Sequence, residues 1–181
     1  MVFRLSPLAP LALDRSLEDR GWRRFDETIV LTLAGACSNG REDTKASIDI
    51  EIFSDPDDDW LSAYSRIDGM GRAPGAILER MLSIMVPKPC YARAKVQDDI
   101  GALALGVVDG DLIGLFEVMT AKDYRRRGLA HRLLGALLAW GRQEGATDAW
   151  LAVVATNEPA IHLYRSLGFQ DVYRYHYRVK G

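Results

Sequence analysis

Residues 124–130 read Tyr-Arg-Arg-Arg-Gly-Leu-Ala and stand directly before the clearest helical pattern of the chain. From Leu129 to Glu144 apolar residues recur every three or four positions, which predicts an amphipathic helix. A helix start has backbone N–H groups without acceptors inside the helix, and the helix dipole adds positive charge there. The turn is therefore predicted to bind an anion, and a pyrophosphate suits several adjacent N–H donors.

The composition of this turn supports the same interpretation. Gly128 and Ala130 keep its surface small, so that phosphate oxygens can approach the backbone. Arg125, Arg126 and Arg127 place cations where they oppose the helix dipole, which favours a bound anion carrying an additional phosphate. A solvated basic helix start explains the charge alone equally well. The glycine patterns of P-loops and Rossmann folds are both absent.

A second pattern follows that helix. Residues 149–154 form a short apolar run typical of a buried strand. A second helix is expected to begin at Asn157-Glu158-Pro159, with Thr156 or Asn157 as its N-cap, and to end at Gly168. From Phe169 to Val179 tyrosines alternate with basic residues, which predicts a strand. We expect the tyrosines of this strand to face the core and its basic residues to face outward.

The preceding part of the chain predicts a sheet with helices. Asp109-Gly110 is a strong hairpin signal between two apolar runs. Strands are expected over residues 47–53, 91–96, 102–108 and 112–119, and helices over residues 60–67 and 76–85. This order is typical of an α/β or α+β protein.

The first 44 residues are expected to form an extension. Leu13–Arg20 is a predicted helix and Phe25–Leu33 a predicted strand, with Gly21-Trp22 between them. Residues 161–179 have the same layout of helix, glycine with a large aromatic residue, and strand. The extension is either the remnant of a duplicated half-domain or a chance similarity, because helix–glycine–strand is common.

Composition limits the classes of function. The chain has 181 residues, 48% of them hydrophobic, and a net charge of -2, which is typical of a soluble globular protein. That charge gives no general attraction to nucleic acid or to anionic membranes. Cys37 and Cys90 are too few for a disulfide framework and lack metal-site spacing. Without an 18-residue apolar run or a signal peptide, the protein is expected to be cytoplasmic.

Two motifs resemble one known family. Arg125-x-x-Gly128-x-Ala130 is similar to the acetyl-CoA signature of the GNAT superfamily of N-acetyltransferases. Residues 157–169, Asn-Glu-Pro-Ala-Ile-His-Leu-Tyr-Arg-Ser-Leu-Gly-Phe, resemble its Asn-x-x-Ala-x-x-Leu-Tyr-x-x-x-Gly-Phe segment at the family's spacing. The resemblance implies the GNAT fold, a twisted, mixed, mostly antiparallel sheet flanked by helices, over residues 45–181, with residues 1–44 as a helix–strand extension.

The resemblance also implies acetyl-CoA as the co-substrate and no metal. The pantetheine arm would pair with the strand before the signature and contact the start of the second helix, while the turn would hold the pyrophosphate. The implied cofactor-binding residues are Val118, Met119, Thr120, Arg125, Arg126, Arg127, Gly128, Leu129, Ala130, His131, Asn157, Ala160 and Tyr164.

Tyr164 matches the family position that acts as general acid in many members. A phenol of pKa about 10 is neutral at pH 7 and can donate a proton to a leaving thiolate. Without the motif, a core tyrosine would be the better explanation. Glu117 is the candidate general base, and a carboxylate that faces solvent at a sheet edge is an equal alternative. His162 and His176 are weaker candidates for the base.

The acceptor is expected to be a primary amine of a small molecule, acetylated by direct attack in a ternary complex. Members acting on protein N-termini can carry a Glu base at the position of Ala152, which weakens that alternative here. Protein N-terminal or lysine acetylation and a non-catalytic acyl-CoA-binding module remain alternatives. The acidic run Asp55–Asp59 either attracts a cationic amine or begins a helix. The family often dimerises, which suggests a homodimer through the tail or the extension.

Overall fold

The computed structural model describes residues 1–35, 48–69, 80–82, 84 and 87–181. Eight strands of a mixed sheet and flanking helices lie in these residues, which confirms the predicted fold class. The strands are β1 (Val2–Leu5), β2 (Arg23–Leu33), β3 (Asp49–Phe53), β4 (Lys88–Val96), β5 (Asp99–Asp109), β6 (Leu112–Thr120), β7 (Asp148–Val154) and β8 (Gln170–Val179). The helices are α1 (Leu11–Asp19), α2 (Asp58–Asp68), α3 (Leu129–Gln143) and α4 (Glu158–Ser166), with a 3-10 turn at Lys122–Tyr124.

The chain divides into two compact units, which are described separately. The first unit comprises residues 1–33 and 150–181, and the second comprises residues 34–149. The predicted boundary at residue 44, Cys37 and most of the predicted helix over 76–85 lie outside the described residues. The division into an extension and a main domain therefore stays a prediction. None of the helices in the described part of the chain has the length and hydropathy of a membrane-spanning segment.

An antiparallel meander forms the sheet of the second unit. β4 lies between β3 and β5, and β5 pairs on its other side with β6. The predicted hairpin at Asp109-Gly110 is confirmed, since Asp109 pairs with Leu112 and Gly110 has a φ of 62°. α2 packs on this sheet through Trp60, which is fully buried and donates from Nε1 to Ala92 O at 3.1 Å.

The acidic run before α2 begins that helix. Asp57 accepts a hydrogen bond from the Trp60 N–H at 2.8 Å and so caps one of the free donors. The same carboxylate accepts two hydrogen bonds of 2.8 Å from Arg93, which also pairs with Glu51. Of the two interpretations of the run, the contacts of Asp57 fit the helix start.

The sheet of the first unit has an approximate internal two-fold symmetry. β8 pairs antiparallel with β1 on one side and with β2 on the other, and β2 in turn neighbours β7. Thr28 of β2 pairs with Tyr175 of β8. Each of these residues lies seven positions after a glycine with positive φ, Gly21 or Gly168. β1-α1-β2 thus has the same arrangement as β7-α4-β8. The approximate two-fold axis that relates the two arrangements passes between Thr28 and Tyr175.

The prediction that the tyrosines of β8 face the core and its basic residues face outward is wrong. Tyr173 is 42% exposed, whereas Arg178 is only 4% exposed. α1 covers His176 and Arg178 of β8, and Asp14 of α1 accepts a hydrogen bond from Arg178 at 2.7 Å and contacts His176 at 3.0 Å. Arg178 also donates to the Trp22 carbonyl at 3.1 Å. These contacts fix α1 on β8.

Asp14→Asn is expected to destabilise the protein by about 1–3 kcal/mol, because Arg178 would keep its buried charge without a carboxylate partner. The hydrogen bond from Arg178 is the largest cause that lowers the pKa of Asp14, from 3.8 to about 2. Because the pKa is lower in the folded state, this stabilisation is complete above about pH 4 and is lost as pH falls toward 2. Urea unfolding of both proteins across this range measures it.

Glu18→Gln is the matched control, since Glu18 lies on the same helix, is 68% exposed and is 3.6 Å from Arg178. Its urea midpoint should stay near that of the wild type. An equal loss of stability in both variants would contradict the role of Asp14.

Candidate functional site

The turn before α3 has an unusual backbone conformation. Arg126 has a φ of 60° and Gly128 a φ of 80°, so two left-handed residues stand close together before the helix. Gly128 is the N-cap of α3, and no side chain caps the free N–H groups of that helix. Left-handed residues near a helix start turn successive N–H groups toward one point, which makes an anion-binding concavity.

Side-chain contacts hold this turn in place. The Tyr124 hydroxyl donates to Asp99 Oδ2 at 2.8 Å, and the guanidinium of Arg127 lies 5.3 Å from the centre of the Tyr124 ring. Arg125 Nε donates to the Thr120 carbonyl at 3.3 Å. The turn is thereby tied to the end of β6 and to the start of β5.

The residues of the predicted phosphate site differ in how they could meet an anion. Arg125, Arg126, Arg127 and His131 are exposed at the rim of the turn, where a ligand could reach their side chains. Leu129 is only 2% exposed, because its side chain packs in the core. Leu129 can therefore contribute its backbone N–H, and its side chain anchors the helix start.

A β-bulge precedes the predicted pantetheine-binding segment. In the β5–β6 register, Leu103 pairs with Met119 and Leu105 with Phe116, so β6 has one extra residue in this interval. Glu117 lies in the bulge with a φ of 49°. A bulge of this kind interrupts the ladder and re-aims a side chain. Residues 118–120 that follow are all partly exposed.

Glu117 lies against α2. Its carboxylate is half-buried, and Tyr64 of α2, which is 8% exposed, influences its pKa. Burial is the main cause that raises the pKa of the Glu117 carboxyl, and the negative charge of Asp68 raises it further. Tyr64 acts in the opposite direction and lowers the pKa of Glu117. Burial, then Glu117, raises the pKa of Tyr64 to about 12.

The first unit holds the other predicted site residues, all on α4. Asn157 is the N-cap, and its side-chain oxygen accepts the Ala160 N–H at 3.3 Å. This contact uses the carbonyl half of the amide and leaves its NH₂ group for another partner. Asn157 is exposed and Ala160 is partly exposed, which suits contact with a ligand.

Tyr164 is buried on the same helix. It is 6% exposed, and its ring meets Phe169 edge-on with 6.1 Å between the ring centres. Burial raises its pKa to about 12. The phenol therefore keeps its proton throughout the neutral and mildly alkaline range and can act as an acid but not as a base.

The structure groups the predicted residues by unit. Glu117, residues 118–120 and residues 125–131 belong to the second unit, whereas the three candidates on α4 belong to the first. Tyr64 and Asp68 were missed by sequence reasoning. Tyr64 follows Trp60 by four residues, so the sequence could have predicted that both lie on one buried face of a helix. No local sequence pattern predicts that Tyr64 influences Glu117.

The two weaker base candidates lie elsewhere in the first unit. His176 contacts Asp14 beneath α1. His162 borders a cavity of about 310 Å³ whose other lining residues are Ile29, Ala155, Glu158, Ile161, Arg165 and Arg174. Among the described residues there is no cluster of three or more His, Cys, Asp or Glu side chains that could hold a metal ion.

Comparison with known proteins gives one family. The model of the family described as probable histone acetyltransferase Rv0428c C-terminal matches residues 7–178. The chain is 28% identical over 185 residues to YobR, an uncharacterized N-acetyltransferase of Bacillus subtilis, and the match covers 98% of this chain and 72% of YobR. It is 39% identical over 74 residues to a ribosomal protein bS18-alanine N-acetyltransferase of Salmonella typhimurium, covering 41% of this chain and 50% of that protein.

The fold has solved counterparts. The crystal structure of a GCN5-related N-acetyltransferase from Sphaerobacter thermophilus matches 98% of this chain with a TM-score of 0.75 and 18% identity. The match spans 59% of that protein. This chain therefore covers less than two thirds of the Sphaerobacter protein and half of the Salmonella relative.

Gly101→Ala is expected to destabilise the protein by about 1–3 kcal/mol. The added Cβ would lie 2.7 Å from Leu129 Cδ2 and 2.9 Å from Tyr124 Cγ, beneath the turn before α3. Gly135→Ala in the middle of α3 is the matched control, because its Cβ would meet no atom within 4 Å. That variant should gain about 0.5–1 kcal/mol from helix propensity. The midpoints of urea unfolding measure the stability of both variants. An unchanged midpoint in Gly101→Ala would contradict the close packing around Gly101.

Proposed function

Because the chain belongs to the GNAT superfamily of N-acetyltransferases, in the family described as probable histone acetyltransferase Rv0428c C-terminal, we propose that it transfers the acetyl group of acetyl-CoA to a primary amine of a small molecule. The observation that carries the proposal is the turn before α3. Its left-handed residues Arg126 and Gly128 and the uncapped helix start suit a pyrophosphate. The three exposed arginines suit the charge of coenzyme A.

The proposed reaction is a direct transfer. The neutral amine attacks the thioester carbonyl carbon, and a C–N bond forms as the C–S bond breaks. Glu117, directly or through water, takes the proton that the amine loses, and Tyr164 donates a proton to the departing thiolate. The products are an acetamide and coenzyme A. Removal of the amine proton is needed because a protonated amine has no lone pair for the attack.

The environments of these two residues support the assignment of roles. Burial raises the pKa of Tyr164 to about 12, so the phenol is protonated when the thiolate leaves. Glu117 has a raised pKa that brings its carboxylate closer to the working pH of a base. Two groups with such different environments fit an acid and a base.

The proposed acceptor is a primary amine of a small molecule. Ala152, where members acting on protein N-termini can carry a Glu, has no side-chain base, which favours a small-molecule amine. A protein amine is the second candidate, and it is favoured by the similarity over 74 residues to a bS18-alanine acetyltransferase. A non-catalytic acyl-CoA-binding module would not need the acid and the base.

Three further proposals accompany the function. Residues 1–44 would be the remnant of a duplicated GNAT half, in keeping with the two-fold relation between β1-α1-β2 and β7-α4-β8. A homodimer would form through this extension, where Leu8 and Leu11 are 95% and 82% exposed, or through the tail. The protein would act in the cytoplasm.

Acetyl-CoA binding by isothermal titration calorimetry tests the cofactor. Gly128→Trp should weaken binding by at least about tenfold, or roughly 1.4 kcal/mol, because the indole would cover the phosphate turn. Gly110→Trp is the matched control, since both glycines have positive φ and open space around the missing Cβ. It should bind like the wild type. If the wild type binds no acyl-CoA, the proposed function is wrong.

Tyr164→Phe should lower kcat for acetyl transfer by roughly 10²–10⁴-fold with little change in acetyl-CoA affinity, because it removes only the proton donor. The release of thiol in a screen of primary amines measures the rate. Ionisation of Tyr164 should not reduce the activity of the wild type below about pH 11, which is one unit under its pKa of about 12. Tyr173→Phe, at an exposed position of β8, is the control and should retain the wild-type rate. An unchanged kcat in Tyr164→Phe would remove Tyr164 from the mechanism.

A further inference from the structure

We propose that the cavity beside α4 in the first unit binds a small organic carboxylate that carries a short branched apolar group. The cavity has a volume of about 310 Å³, which is at the lower end of the range for small-molecule sites. Seven residues line it, and all of them belong to the first unit. None of the seven is a predicted cofactor-binding residue, so this site does not depend on the proposed function.

One face of α4 forms a wall of the cavity. The lining residues of this helix stand at positions 158, 161, 162 and 165, which recur at helical spacing and therefore lie on one side. The predicted cofactor-binding residues of α4, at positions 157, 160 and 164, follow the same spacing along a different side. A ligand in the cavity would thus contact α4 on a face that does not carry the proposed proton donor.

The cavity has two guanidinium groups, and a carboxylate outside the lining orients each of them. Arg165 donates from Nε and Nη2 to Asp171 at distances between 2.9 and 3.3 Å. Arg174 of β8 donates from Nη1 to Glu27 Oε1 at 2.8 Å. Neither Asp171 nor Glu27 lines the cavity. Each acid therefore holds one edge of a guanidinium and leaves the rest of it for a ligand.

The remaining donors suit a carboxylate. A guanidinium has five N–H groups in a planar fork. Among the described residues, Nη1 of Arg165 and both Nε and Nη2 of Arg174 have no hydrogen-bond partner. The Nε and Nη2 groups of Arg174 form one edge of the fork, which matches the two oxygens of a carboxylate. The side chains of both arginines are 53% exposed, so a small ligand can reach them.

The floor of the cavity selects an apolar group next to the carboxylate. Ile29 of β2 pairs with Arg174 of β8, so an apolar side chain and a guanidinium lie side by side on one face of the sheet. Ile29 is 2% exposed, and Ile161, which also lines the cavity, is 8% exposed. A branched apolar group that covers these side chains is removed from water, which favours binding. An inorganic anion would meet the arginines without this gain.

The other polar lining residues are compatible with a ligand of one negative charge. Glu158 lies seven residues before Arg165, which is about 10 Å along the helix axis, so its carboxylate is not beside that cation. Two guanidinium groups and one carboxylate give the lining one net positive charge when His162 is neutral. His162 lies between Glu158 and Arg165 on the helix, and its imidazole can donate or accept a hydrogen bond.

Titration with isovalerate, followed by NMR, tests the site. This probe carries a carboxylate and a branched apolar group, and because it is so small we expect a Kd on the order of 1–10 mM. The ¹³C-labelled δ1 methyl resonances of Ile29 and Ile161, assigned with Ile29→Val and Ile161→Val, should shift and saturate. The absence of a saturable shift at these two methyl groups would overturn the proposal.

Matched probes separate the two parts of the ligand. Isovaleramide keeps the branched group and removes the charge, whereas acetate keeps the charge and removes the branched group. Each should bind at least about fivefold more weakly than isovalerate, because each lacks one of the two proposed contacts. If isovaleramide binds equally well, the arginines do not select the ligand. If acetate or inorganic phosphate binds equally well, the floor does not select it, and either result overturns the proposal.

Arg174→Gln should weaken the binding of isovalerate by about tenfold, because the carboxylate loses a charged bidentate partner. Arg24→Gln is the matched control, since Arg24 pairs with the other oxygen of Glu27 at 2.8 Å, is 52% exposed and does not line the cavity. It should bind like the wild type. Arg165→Gln should also weaken binding and serves as a second test if urea unfolding shows that Arg174→Gln has lost its fold. Wild-type affinity in the folded variants of both lining arginines would overturn the proposal.

The outcome is independent of the proposed acetyltransferase activity, because the titration contains no acetyl-CoA and no acceptor. Gly128→Trp, which is designed to cover the phosphate turn, should bind isovalerate like the wild type. A protein that binds isovalerate at Ile29 and Ile161 but binds no acyl-CoA would keep this site and lose the proposed function. A protein that binds acetyl-CoA without any shift of these methyl groups would keep the proposed function and lose this site.

Discussion

The amide groups in the first turn of α3 cannot be satisfied within their own helix, and the side-chain contacts of Tyr124, Arg125 and Arg127 hold the turn that leads to them. No side chain caps this helix, although four orphan N–H groups are a cost that a Ser, Thr, Asp or Asn would reduce. Gly128 at the N-cap leaves the donors uncovered. The tyrosine and arginine contacts around the turn hold its backbone in place without reaching those donors, which therefore suit the anion of the proposed cofactor.

Backbone strain in the second unit is concentrated near the same region. Among the described residues, four non-glycine residues have positive φ, and two of these are Glu117 and Arg126. Such conformations cost about 1–3 kcal/mol each, and glycine would relieve most of that cost. The chain instead keeps a carboxylate in the bulge of β6 and a guanidinium in the phosphate turn. The proposed roles of Glu117 and Arg126 would account for side chains that the backbone preference opposes.

Local sequence patterns predicted the helices and strands well where one periodicity dominates. The helix expected over residues 129–144 is α3, and Asn157, one of the two expected N-caps, begins α4. The error on β8 has a different origin. Alternation along a strand shows that there are two faces, but which face is buried depends on what covers it. In β8 the burial of Arg178 depends on α1, which lies more than 150 residues away in sequence and contacts Arg178 through the carboxylate of Asp14.

The candidate site was predictable to a similar degree. Gly128 and Asn157 lie in motifs, and their local backbone roles follow from helix termini, which are local structures. Tyr64 and Asp68 could not be found in this way, because their relation to Glu117 depends on how α2 packs on β6. The sequence between residues 55 and 91 contains helix and strand signals but no motif, so a contact across the sheet surface has no local signature.

The two-fold relation in the first unit bears on whether Tyr164 is a core residue or an acid. Leu17 lies four residues before Gly21, as Tyr164 lies four residues before Gly168, and each is 6% exposed. The fold therefore requires a large buried side chain at this helix position, and leucine satisfies the requirement in one of the two arrangements. The hydroxyl of Tyr164 is not needed for packing, and within the described residues it has no hydrogen-bond partner. It is also not among the buried polar atoms that lack a hydrogen-bond partner, so the hydroxyl is open to solvent while the ring is buried, which is the arrangement that the proposed proton donor needs.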